Sequence, residues 1–208
     1  MNCPLCQSPS NHFYRQNTRE FYFCSTCFAV FLDVKNYFNE EEEQKHYEHH
    51  NNDVLDAGYQ QFVSPIVNAI QKDFTPNDVG LDFGSGTNSV IVKLLRDSEF
   101  QIAEFDPFFS NNSVVLEKKY NYISCCEVIE HFHRPRKEFE KLYDLLLPNG
   151  KLYCMTEMFD AKKNFDTWYY KNDHTHVFFY HEKTIAWIAE KIGFSNFHIE
   201  GRLIVFEK

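Results

Sequence analysis

The chain has 208 residues, 43% of them hydrophobic and 17% aromatic, with only seven glycines and seven prolines. This composition excludes a disordered chain, and the length allows one well-buried domain with a small additional segment. The formal net charge of −9 disfavours nucleic acid as a partner, because binding to a phosphate backbone needs an excess of Lys and Arg. The sequence shows neither a membrane-spanning apolar stretch nor a secretory signal pattern, so we predict a cytoplasmic protein without a membrane partner.

Two CxxC pairs mark the N-terminal part of the chain. Cys3 and Cys6 form the first pair, and Cys24 and Cys27 form the second, with 17 residues between the pairs. Each pair can present two sulfurs to one ion, and this spacing is typical of a four-thiolate Zn²⁺ site, with ordinary reduced cysteines as the alternative. The intervening FYRQNTREFYF is compatible with a hairpin that joins the two turns. We predict a zinc ribbon over residues 1–38 in which Zn²⁺ is structural, because four thiolates leave no open coordination position.

Residues 39–75 are predicted to form a helical connector or lid. Asn39 is followed by four glutamates, so it can cap a solvated helix whose first-turn carboxylates complement the helix dipole. In the alternative interpretation, Tyr47, His50 and Tyr59 face inward and cover a site in the next domain. The sequence is compatible with both interpretations.

Strands alternate with helices over residues 76–208. Short apolar runs indicate strands, and apolar residues spaced i, i+3 and i+4 indicate helices. This alternation predicts an α/β, Rossmann-like fold: a mostly parallel sheet with helices on both faces and the ligand at the carboxyl ends of its strands. The predicted strands are DVGLDFG, FQIAEFD, YNYISCCE and KLYCMTEMF, followed by an antiparallel pair, FHIEG and RLIVFEK. Four helices are predicted, and the first begins at Ser64-Pro65. The second has Ile91, Leu94 and Leu95 on its apolar face. The third follows Pro135 with Phe139, Leu142, Tyr143 and Leu146, and the fourth ends at Gly193 after Ile185, Ile188, Ala189 and Ile192.

A glycine turn follows the first of these strands, in LDFGSGTN. Gly84 and Gly86 allow the backbone to turn sharply and approach a ligand, and the next helix offers free N–H groups. The loop lacks the Lys-Ser/Thr pair of a nucleoside triphosphate site. The second strand ends at Asp106, about 20 residues further on, where a carboxylate can accept both hydroxyls of a ribose. The combination favours a cofactor that contains adenosine.

The stretch CCEVIEHFHRP, residues 125–135, contains a cluster of ionisable side chains. Glu127, Glu130 and His131 stand at i, i+3 and i+4, and this spacing predicts three polar groups on one side of a helical turn. Carboxylates and imidazoles at the ligand edge of a sheet can act as general bases or as metal ligands. We therefore expect this stretch to carry part of the chemistry.

Five segments resemble, in order, the successive motifs of class I S-adenosylmethionine-dependent methyltransferases: VGLDFGSGTN, AEFDP, YISCCEVIEH, LLLPNGKLYCMTEMF and a late GF. The resemblance covers residues 76–208 and leaves the ribbon outside. It implies a seven-stranded type of sheet and S-adenosylmethionine as the cofactor. The sequence departs from the family pattern at Asn88, in place of a third glycine, and in the short segment 107–120, where a third strand is usual. The resemblance implies these cofactor-binding residues: Asp82, Gly84, Ser85 and Gly86 at the methionine end, Asp106 at the ribose, and Cys126 and Glu127 at the fourth strand.

Methyl transfer from a sulfonium requires a nucleophile aligned with the S–CH₃ bond and removal of its proton. The resemblance thus implies a methyltransferase that acts on a small-molecule substrate, with oxygen preferred as the acceptor atom. We predict His131, Glu130 and His176 as catalytic residues. Glu130 is expected to orient His131, and His131 is either a general base or only a hydrogen-bonded residue at the sheet edge. His174 and His176 are also candidates for the wall of the substrate site. The aromatic residues of DTWYYK either belong to the same wall or fill ordinary loop contacts.

Two other functions are compatible with the sequence. CCEVIEH and a later histidine also resemble the small-RNA 3′-terminal 2′-O-methyltransferases, and that resemblance implies a second divalent metal at Glu127, Glu130, His131 and His176. The acidic charge and the absence of a basic stripe argue against RNA. The other alternative is a zinc-ribbon binding module attached to a cofactor-binding fold that does not catalyse a reaction.

Overall fold

The computed structural model describes residues 1–48, 53–160, 162 and 164–208. Within these ranges, none of the helices combines the length and hydrophobicity that crossing a bilayer requires. The strands are β1 (Asn11–Gln16), β2 (Arg19–Phe23), β3 (Val30–Leu32), β4 (Val79–Phe83), β5 (Gln101–Phe105), β6 (Tyr120–Cys126), β7 (Leu146–Met155), β8 (Phe178–Phe179), β9 (Asn196–Glu200) and β10 (Leu203–Glu207). The α-helices are α1 (Glu40–Tyr47), α2 (Ala57–Asp73), α3 (Val90–Asp97), α4 (Pro135–Leu145) and α5 (Glu182–Ile192).

A six-stranded sheet with the order β5-β4-β6-β7-β10-β9 forms the centre of the fold. The first four strands in this order are parallel, and β10 is antiparallel to both β7 and β9. The predicted Rossmann-like sheet with a closing antiparallel pair is confirmed. It has six strands in the described ranges, whereas the resemblance implies a seven-stranded type, because only a short 3₁₀ helix (Ser113–Glu117) lies between β5 and β6.

Helices cover both faces of this sheet. Successive side chains of β7 point to opposite faces of the sheet, as the two-residue period of a strand requires. Leu152 and Cys154 belong to the core beneath α4 and α5, whereas Tyr153 and Met155 belong to the core beneath α2 and α3. Parallel strands buried on both faces need continuous apolar runs, and the strand sequences supply them.

Helix α2 begins earlier than the sequence predicts. Asp56 caps the helix by accepting hydrogen bonds from the amides of Gly58 and Tyr59, so Pro65 lies inside the helix and not at its start. A proline cannot donate to the carbonyl four residues before it. The Ser64 hydroxyl donates to the Gln61 carbonyl oxygen at 2.8 Å and supplies that missing bond.

Helix α4 ends one residue before the predicted apolar face is complete. Leu146 is the first residue of β7 and is still buried. The helix stops because Leu147 precedes Pro148, and a residue before proline disfavours helical backbone angles. The predicted end of α5 is confirmed, since Gly193 has a φ of +104° and adopts the left-handed conformation typical of a helix C-terminus.

The cysteine ribbon is built into the rest of the molecule. The predicted hairpin forms, with β1 antiparallel to β2 and β2 antiparallel to β3. Strand β8, far along the chain, then pairs with β3 through Val30 and Phe179, which makes a four-stranded sheet. The buried ribbon residues Cys3 and Phe21 belong to the same apolar core as Ile123 of the central sheet. The ribbon therefore shares its core with the α/β part.

Candidate active site

A cavity of about 830 Å³ opens at the carboxyl ends of β4, β5 and β6. Its walls come from the glycine turn after β4, the loops after β5 and β6, helix α1, the start of α2, and the segment before β8. This is the edge at which the sequence predicts a ligand. The sequence-predicted residues that line it are Asp82, Gly84, Ser85, Gly86, Asp106, Cys126, Glu127, His131 and His176.

The glycine turn has the backbone geometry that only glycine adopts readily. Gly84 and Gly86 have φ angles of +80° and +65°. A Cβ atom on Gly84 would lie 2.4 Å from a methyl group of Val128, so no larger residue fits. Asn88 does not have a positive φ, so its position in this turn does not require a third glycine. The Ser85 hydroxyl is buried and has no hydrogen-bond partner in the described part of the chain.

Asp82 joins three elements beneath this turn. Its two carboxylate oxygens accept hydrogen bonds from the hydroxyls of Ser124 and Ser89, each at 2.6 Å. Ser89 is also the N-cap of α3, where its hydroxyl accepts from the Val92 amide. Burial raises the pKa of Asp82 to about 6. The role of Asp82 visible in the structure is thus to hold the start of α3 against β6.

Asp106 connects the end of β5 to the glycine turn. One carboxylate oxygen accepts from the Gly86 amide at 3.0 Å. The other accepts from the amides of Phe108 and Phe109 at 2.9 and 3.0 Å. The carboxylate therefore organises both loops at this end of the cavity through contacts within the protein.

The predicted helical turn after β6 does not form. Glu127 adopts a left-handed backbone with a φ of +53°, and its amide donates to the Met155 carbonyl at 2.8 Å, which extends the pairing with β7. A short 3₁₀ helix, Ile129–His131, follows. Because the chain turns at Glu127, the three side chains do not lie on one helical face. Glu127 and Glu130 nevertheless both accept from the Tyr170 hydroxyl, and ligand atoms of Glu130 and His131 lie within 4.8 Å of each other.

Glu127 is paired with an arginine that sequence reasoning missed. The Arg202 guanidinium donates to both Glu127 carboxylate oxygens, at 2.6 and 2.7 Å, and also to Glu157 at 3.2 Å. Burial and the nearby Glu130 carboxylate raise the pKa of Glu127 to about 7, and Arg202 opposes this shift. Arg202 lies in the turn between β9 and β10, 75 residues from Glu127. No spacing in the sequence indicates this pair.

Glu130 lies behind the cavity wall and is fully buried. The Tyr170 hydroxyl donates to one of its carboxylate oxygens, and the other oxygen has no hydrogen-bond partner among the described residues. Burial raises the pKa of Glu130 to about 7. The Glu130 backbone carbonyl accepts from the Val177 amide at 2.9 Å, which ties the loop after β6 to the segment before β8.

His131 is oriented by a backbone carbonyl. Its Nδ1 lies 3.0 Å from the Thr175 carbonyl oxygen and 3.1 Å from the Tyr47 hydroxyl. A carbonyl oxygen only accepts, so Nδ1 carries a proton and Nε2 keeps the lone pair of the neutral ring. Burial lowers the pKa of His131, which favours this neutral form. The group that orients His131 is therefore Thr175, whereas the sequence suggested Glu130.

His176 lies beside His131, with ring centroids 4.8 Å apart. Its Nδ1 donates to the Tyr170 carbonyl at 2.8 Å. Burial, together with the neighbouring His131, lowers the pKa of His176 to about 3. Ligand atoms of Glu130, His131 and His176 lie within 4.8 Å of one another. Glu127 is not part of this group, because both of its oxygens bind Arg202, so the four-residue metal set implied by the RNA methyltransferases is incomplete.

The aromatic residues after β7 divide between the two predicted roles. Tyr169 and Tyr170 line the cavity. Trp168 packs against Phe165 and Phe179 in the core. His174 does not line the cavity, and its ring stacks on Phe38 at 5.6 Å.

The connector also contributes to the cavity. Asn39 caps α1 through a reciprocal pair of hydrogen bonds with Glu42, as the solvated-helix interpretation predicts. Tyr47 and Tyr59 nevertheless line the cavity, as the lid interpretation predicts. His50, the third residue of that interpretation, lies outside the described residues.

The four ribbon cysteines meet at one point. Their sulfurs lie within 4.8 Å of one another, with Cys3 to Cys27 at 3.5 Å and Cys6 to Cys24 at 3.4 Å. A tetrahedral Zn²⁺ with bonds of about 2.3 Å places its sulfurs about 3.8 Å apart, close to these distances. Cys125 and Cys154 are buried in the central sheet, whereas Cys126 lines the cavity.

The burial of Glu130 leads to a prediction for stability. Since burial raises its pKa from 4.5 to about 7, the folded state binds this proton more tightly than the unfolded state. The stabilisation is complete below about pH 4.5 and is lost as the pH rises through about 7. From pH 5 to pH 8, we expect the stability of Glu130→Gln relative to wild type to rise by about 2.5 kcal/mol.

Urea unfolding at both pH values measures this effect. The difference between variant and wild type is compared at each pH, so that contributions of groups far from residue 130 cancel. The pH dependence of this difference then belongs to Glu130 together with Glu127, whose pKa the Glu130 carboxylate raises. Glu140→Gln, a change at a half-exposed carboxylate of α4, is the control and should show no such pH dependence. A Glu130→Gln difference equal at pH 5 and pH 8 would contradict the raised pKa.

Comparisons with known proteins identify the family and the fold of this chain. Residues 47–199 match the family model for a methyltransferase domain. No curated protein matches the sequence significantly. A SAM-dependent methyltransferase from Archaeoglobus fulgidus is similar, with a TM-score of 0.56, 14% identity, and coverage of 72% of this chain and 94% of that chain. A 1,6-didemethyltoxoflavin-N1-methyltransferase from Burkholderia thailandensis is similar with a TM-score of 0.54 and 14% identity, and the match covers 95% of this chain and 98% of that chain.

An O-methyltransferase family protein from Burkholderia thailandensis is also similar, with a TM-score of 0.56 and 12% identity over 79% of this chain. The chain spans only 61% of the length of that protein. Identities this low establish the fold and not the substrate. Since the family model covers most of the chain, and the fold is that of S-adenosylmethionine-dependent methyltransferases, the chain belongs to the methyltransferase-domain family.

Proposed function

We propose that this protein transfers a methyl group from S-adenosylmethionine to a small-molecule substrate, with oxygen as the preferred acceptor atom. One observation carries the proposal: a single cavity joins the glycine turn and Asp106 at one end to a half-buried His131 at the other, and the lowered pKa of this histidine favours the neutral ring. A basic nitrogen beside a cofactor site supports removal of a proton from a hydroxyl.

The residues of the glycine turn fit the cofactor. The buried Ser85 hydroxyl lacks a partner among the described residues and can bond to the methionine end of the ligand. The left-handed glycines let the backbone approach it closely. Asp106 is proposed to bind the ribose, and Asp82, Gly84, Gly86, Cys126 and Glu127 complete the proposed cofactor site. S-adenosylmethionine, when bound, supplies an electrophilic methyl group.

His131 is the proposed general base. The Thr175 carbonyl and the Tyr47 hydroxyl hold its Nδ1, so Nε2 can accept the proton of the substrate hydroxyl. Tyr170 and His176 form the adjoining wall, and Glu130 supports them from behind through the Tyr170 hydroxyl. The low pKa of both histidines keeps the imidazoles neutral near pH 7.

We also propose a three-part organisation. Residues 1–38 form a ribbon in which Cys3, Cys6, Cys24 and Cys27 hold one structural Zn²⁺. Residues 39–75 form a connector whose Tyr47 and Tyr59 border the substrate, and residues 76–208 form the methyltransferase domain. The sulfur distances support the zinc site.

The known similar proteins support a small substrate. The Burkholderia thailandensis N1-methyltransferase structure contains bound 1,6-didemethyltoxoflavin and S-adenosylhomocysteine. Both O- and N-methyltransferases occur among the similar structures. The neutral imidazole of His131 favours oxygen, since a hydroxyl must lose its proton during the transfer.

RNA is the second candidate substrate. The clustering of Glu130, His131 and His176 supports it, because two imidazoles and a carboxylate can bind a divalent ion. The net charge of −9 and the pairing of Glu127 with Arg202 argue against it.

A labelling experiment tests these alternatives. Protein and cell extract are incubated with S-adenosylmethionine labelled at the methyl group, and the small-molecule and RNA fractions are counted separately. We expect label in small molecules. His131→Ala should decrease this label at least about 100-fold while S-adenosylhomocysteine binding is retained.

Three other outcomes would contradict the proposal. Label confined to RNA would support RNA methylation, which is then tested by chelation that spares the ribbon zinc, and by addition of individual divalent ions. Cofactor binding without label in any fraction would support a non-catalytic module. Full activity of His131→Ala would exclude the proposed base.

A further inference from the structure

Arg19, at the start of β2, is a buried cation in the ribbon. Its residue surface is only 8% exposed. The Nη1 atom donates to the Lys171 carbonyl at 2.7 Å, and Nη2 donates to the Asp173 carbonyl at 3.0 Å. The guanidinium also lies over the Phe21 ring, 5.1 Å from its centroid. Its hydrogen-bond partners are thus backbone atoms of the segment that borders the cavity, about 150 residues away.

The segment that Arg19 contacts carries the acceptor end of the cavity. Tyr170 and His176 both line the cavity, and they are joined by the bond from His176 Nδ1 to the Tyr170 carbonyl. Asp173 accepts from the Thr175 amide and hydroxyl, at 2.9 and 2.6 Å. The Thr175 carbonyl in turn orients His131. A short path of hydrogen bonds and covalent bonds within residues 170–176 therefore connects Arg19 to both histidines.

The chemistry of this contact requires arginine. Two carbonyl oxygens two residues apart need two N–H donors in a fixed fork, which a guanidinium provides and an ammonium does not. Bonds from a charged donor are also stronger than neutral ones. The segment has only a short 3₁₀ helix, Tyr169–Asn172, of its own before β8, so contacts from outside have a large effect on its shape.

We propose that Arg19 is a positioning residue, which acts through the carbonyls of Lys171 and Asp173 to hold His131 and His176 in the acceptor half of the cavity. The proposal rests on the proposed function, since it assigns both histidines to the acceptor site. It makes the ribbon part of the active-site scaffold as well as a zinc-binding segment. A purely structural role for Arg19 would stabilise the fold without affecting the histidine rings.

The test uses the full chain and needs no identified acceptor. Arg19→Met removes both bonds and keeps an apolar stem, Arg19→Lys keeps the charge and one donor group, and Arg15→Met is the matched control on the neighbouring strand. Arg15 is exposed and pairs with Glu20. Three properties are measured: the NMR signals of the His131 and His176 rings, hydrogen exchange of the amides of residues 171–177, and S-adenosylhomocysteine binding by calorimetry.

We expect Arg19→Met to shift the ring signals of both histidines and to accelerate amide exchange at least about tenfold, the effect of losing a charge-assisted hydrogen bond. Arg19→Lys should restore part of both effects, and Arg15→Met should match wild type. Cofactor affinity should stay within about twofold, because Arg19 and the glycine turn share no partner.

Unchanged histidine signals in a folded Arg19→Met protein, with only a lower melting temperature, would overturn the proposal. If Arg19→Met does not fold, the same measurements on Arg19→Lys decide, and wild-type signals and exchange there would overturn it. Failure of the wild-type protein to bind S-adenosylhomocysteine would instead contradict the proposed function.

Discussion

Replacement of a ribbon cysteine by serine is expected to destabilise the entire chain, not the ribbon alone. Zinc binding contributes about 10–16 kcal/mol in small zinc-binding peptides, comparable with the total stability of a domain, about 5–15 kcal/mol. The ribbon shares its core and a four-stranded sheet with the α/β part, so its loss exposes apolar surface of both. We expect Cys3→Ser and Cys24→Ser to lower the melting temperature by at least about 10 °C and to weaken S-adenosylhomocysteine binding.

Cys154→Ser is the matched control, because it makes the same change at a buried cysteine outside the ribbon. It should cost only about 1–3 kcal/mol, the penalty for burying a hydroxyl. Metal analysis should give about one zinc per wild-type chain and less in the ribbon variants. Wild type that contains no metal and has full stability would disprove the zinc site. A ribbon variant that still binds the cofactor normally would show that the two parts fold independently.

Asp106→Ala is expected to weaken S-adenosylhomocysteine binding by at least about 100-fold, the loss of one or two charge-assisted hydrogen bonds. The carboxylate holds the amides of Gly86, Phe108 and Phe109, and the proposed cofactor site adds the ribose hydroxyls. The change therefore removes a ligand contact and also loosens both loops around it. Calorimetry measures the affinity, and thermal unfolding with and without ligand measures the lost stabilisation.

Two further variants separate these causes. Asp106→Asn keeps one acceptor oxygen, which can hold either the Gly86 amide or the Phe108 and Phe109 amides but not both loops, and it loses the charge. It should therefore bind more weakly than wild type. Asp97→Ala, at the exposed end of α3, is the control and should bind normally. Normal binding by Asp106→Ala would show that the ribose is bound elsewhere and that the proposed cofactor site is misplaced.

Features with local signals could be predicted from the amino-acid sequence. The CxxC pairs lie on short turns, and hairpin formation brings them together. The glycine turn and Asp106 end adjacent parallel strands, so pairing of β4 with β5 places them side by side. Strand and helix order follows from hydrophobic periodicity, which depends on neighbours a few residues apart. Even here a local signal failed at Pro65, because a Ser64 side chain replaced the hydrogen bond that proline lacks.

The use of the ionisable side chains, in contrast, depends on tertiary contacts. Residue spacing predicted one helical turn for Glu127, Glu130 and His131, but the left-handed backbone at Glu127 prevents that turn. The three side chains still come close together, because Glu127 and Glu130 share the Tyr170 hydroxyl and His131 lies beside Glu130. Each side chain then meets a partner from a distant segment, Arg202 for Glu127, Tyr170 for Glu130 and Thr175 for His131. These pairings depend on side-chain direction and on which loops meet at the sheet edge. Hydrophobic periodicity determines which face of an element is buried, but it contains no information about contacts between loops that are 40 or more residues apart.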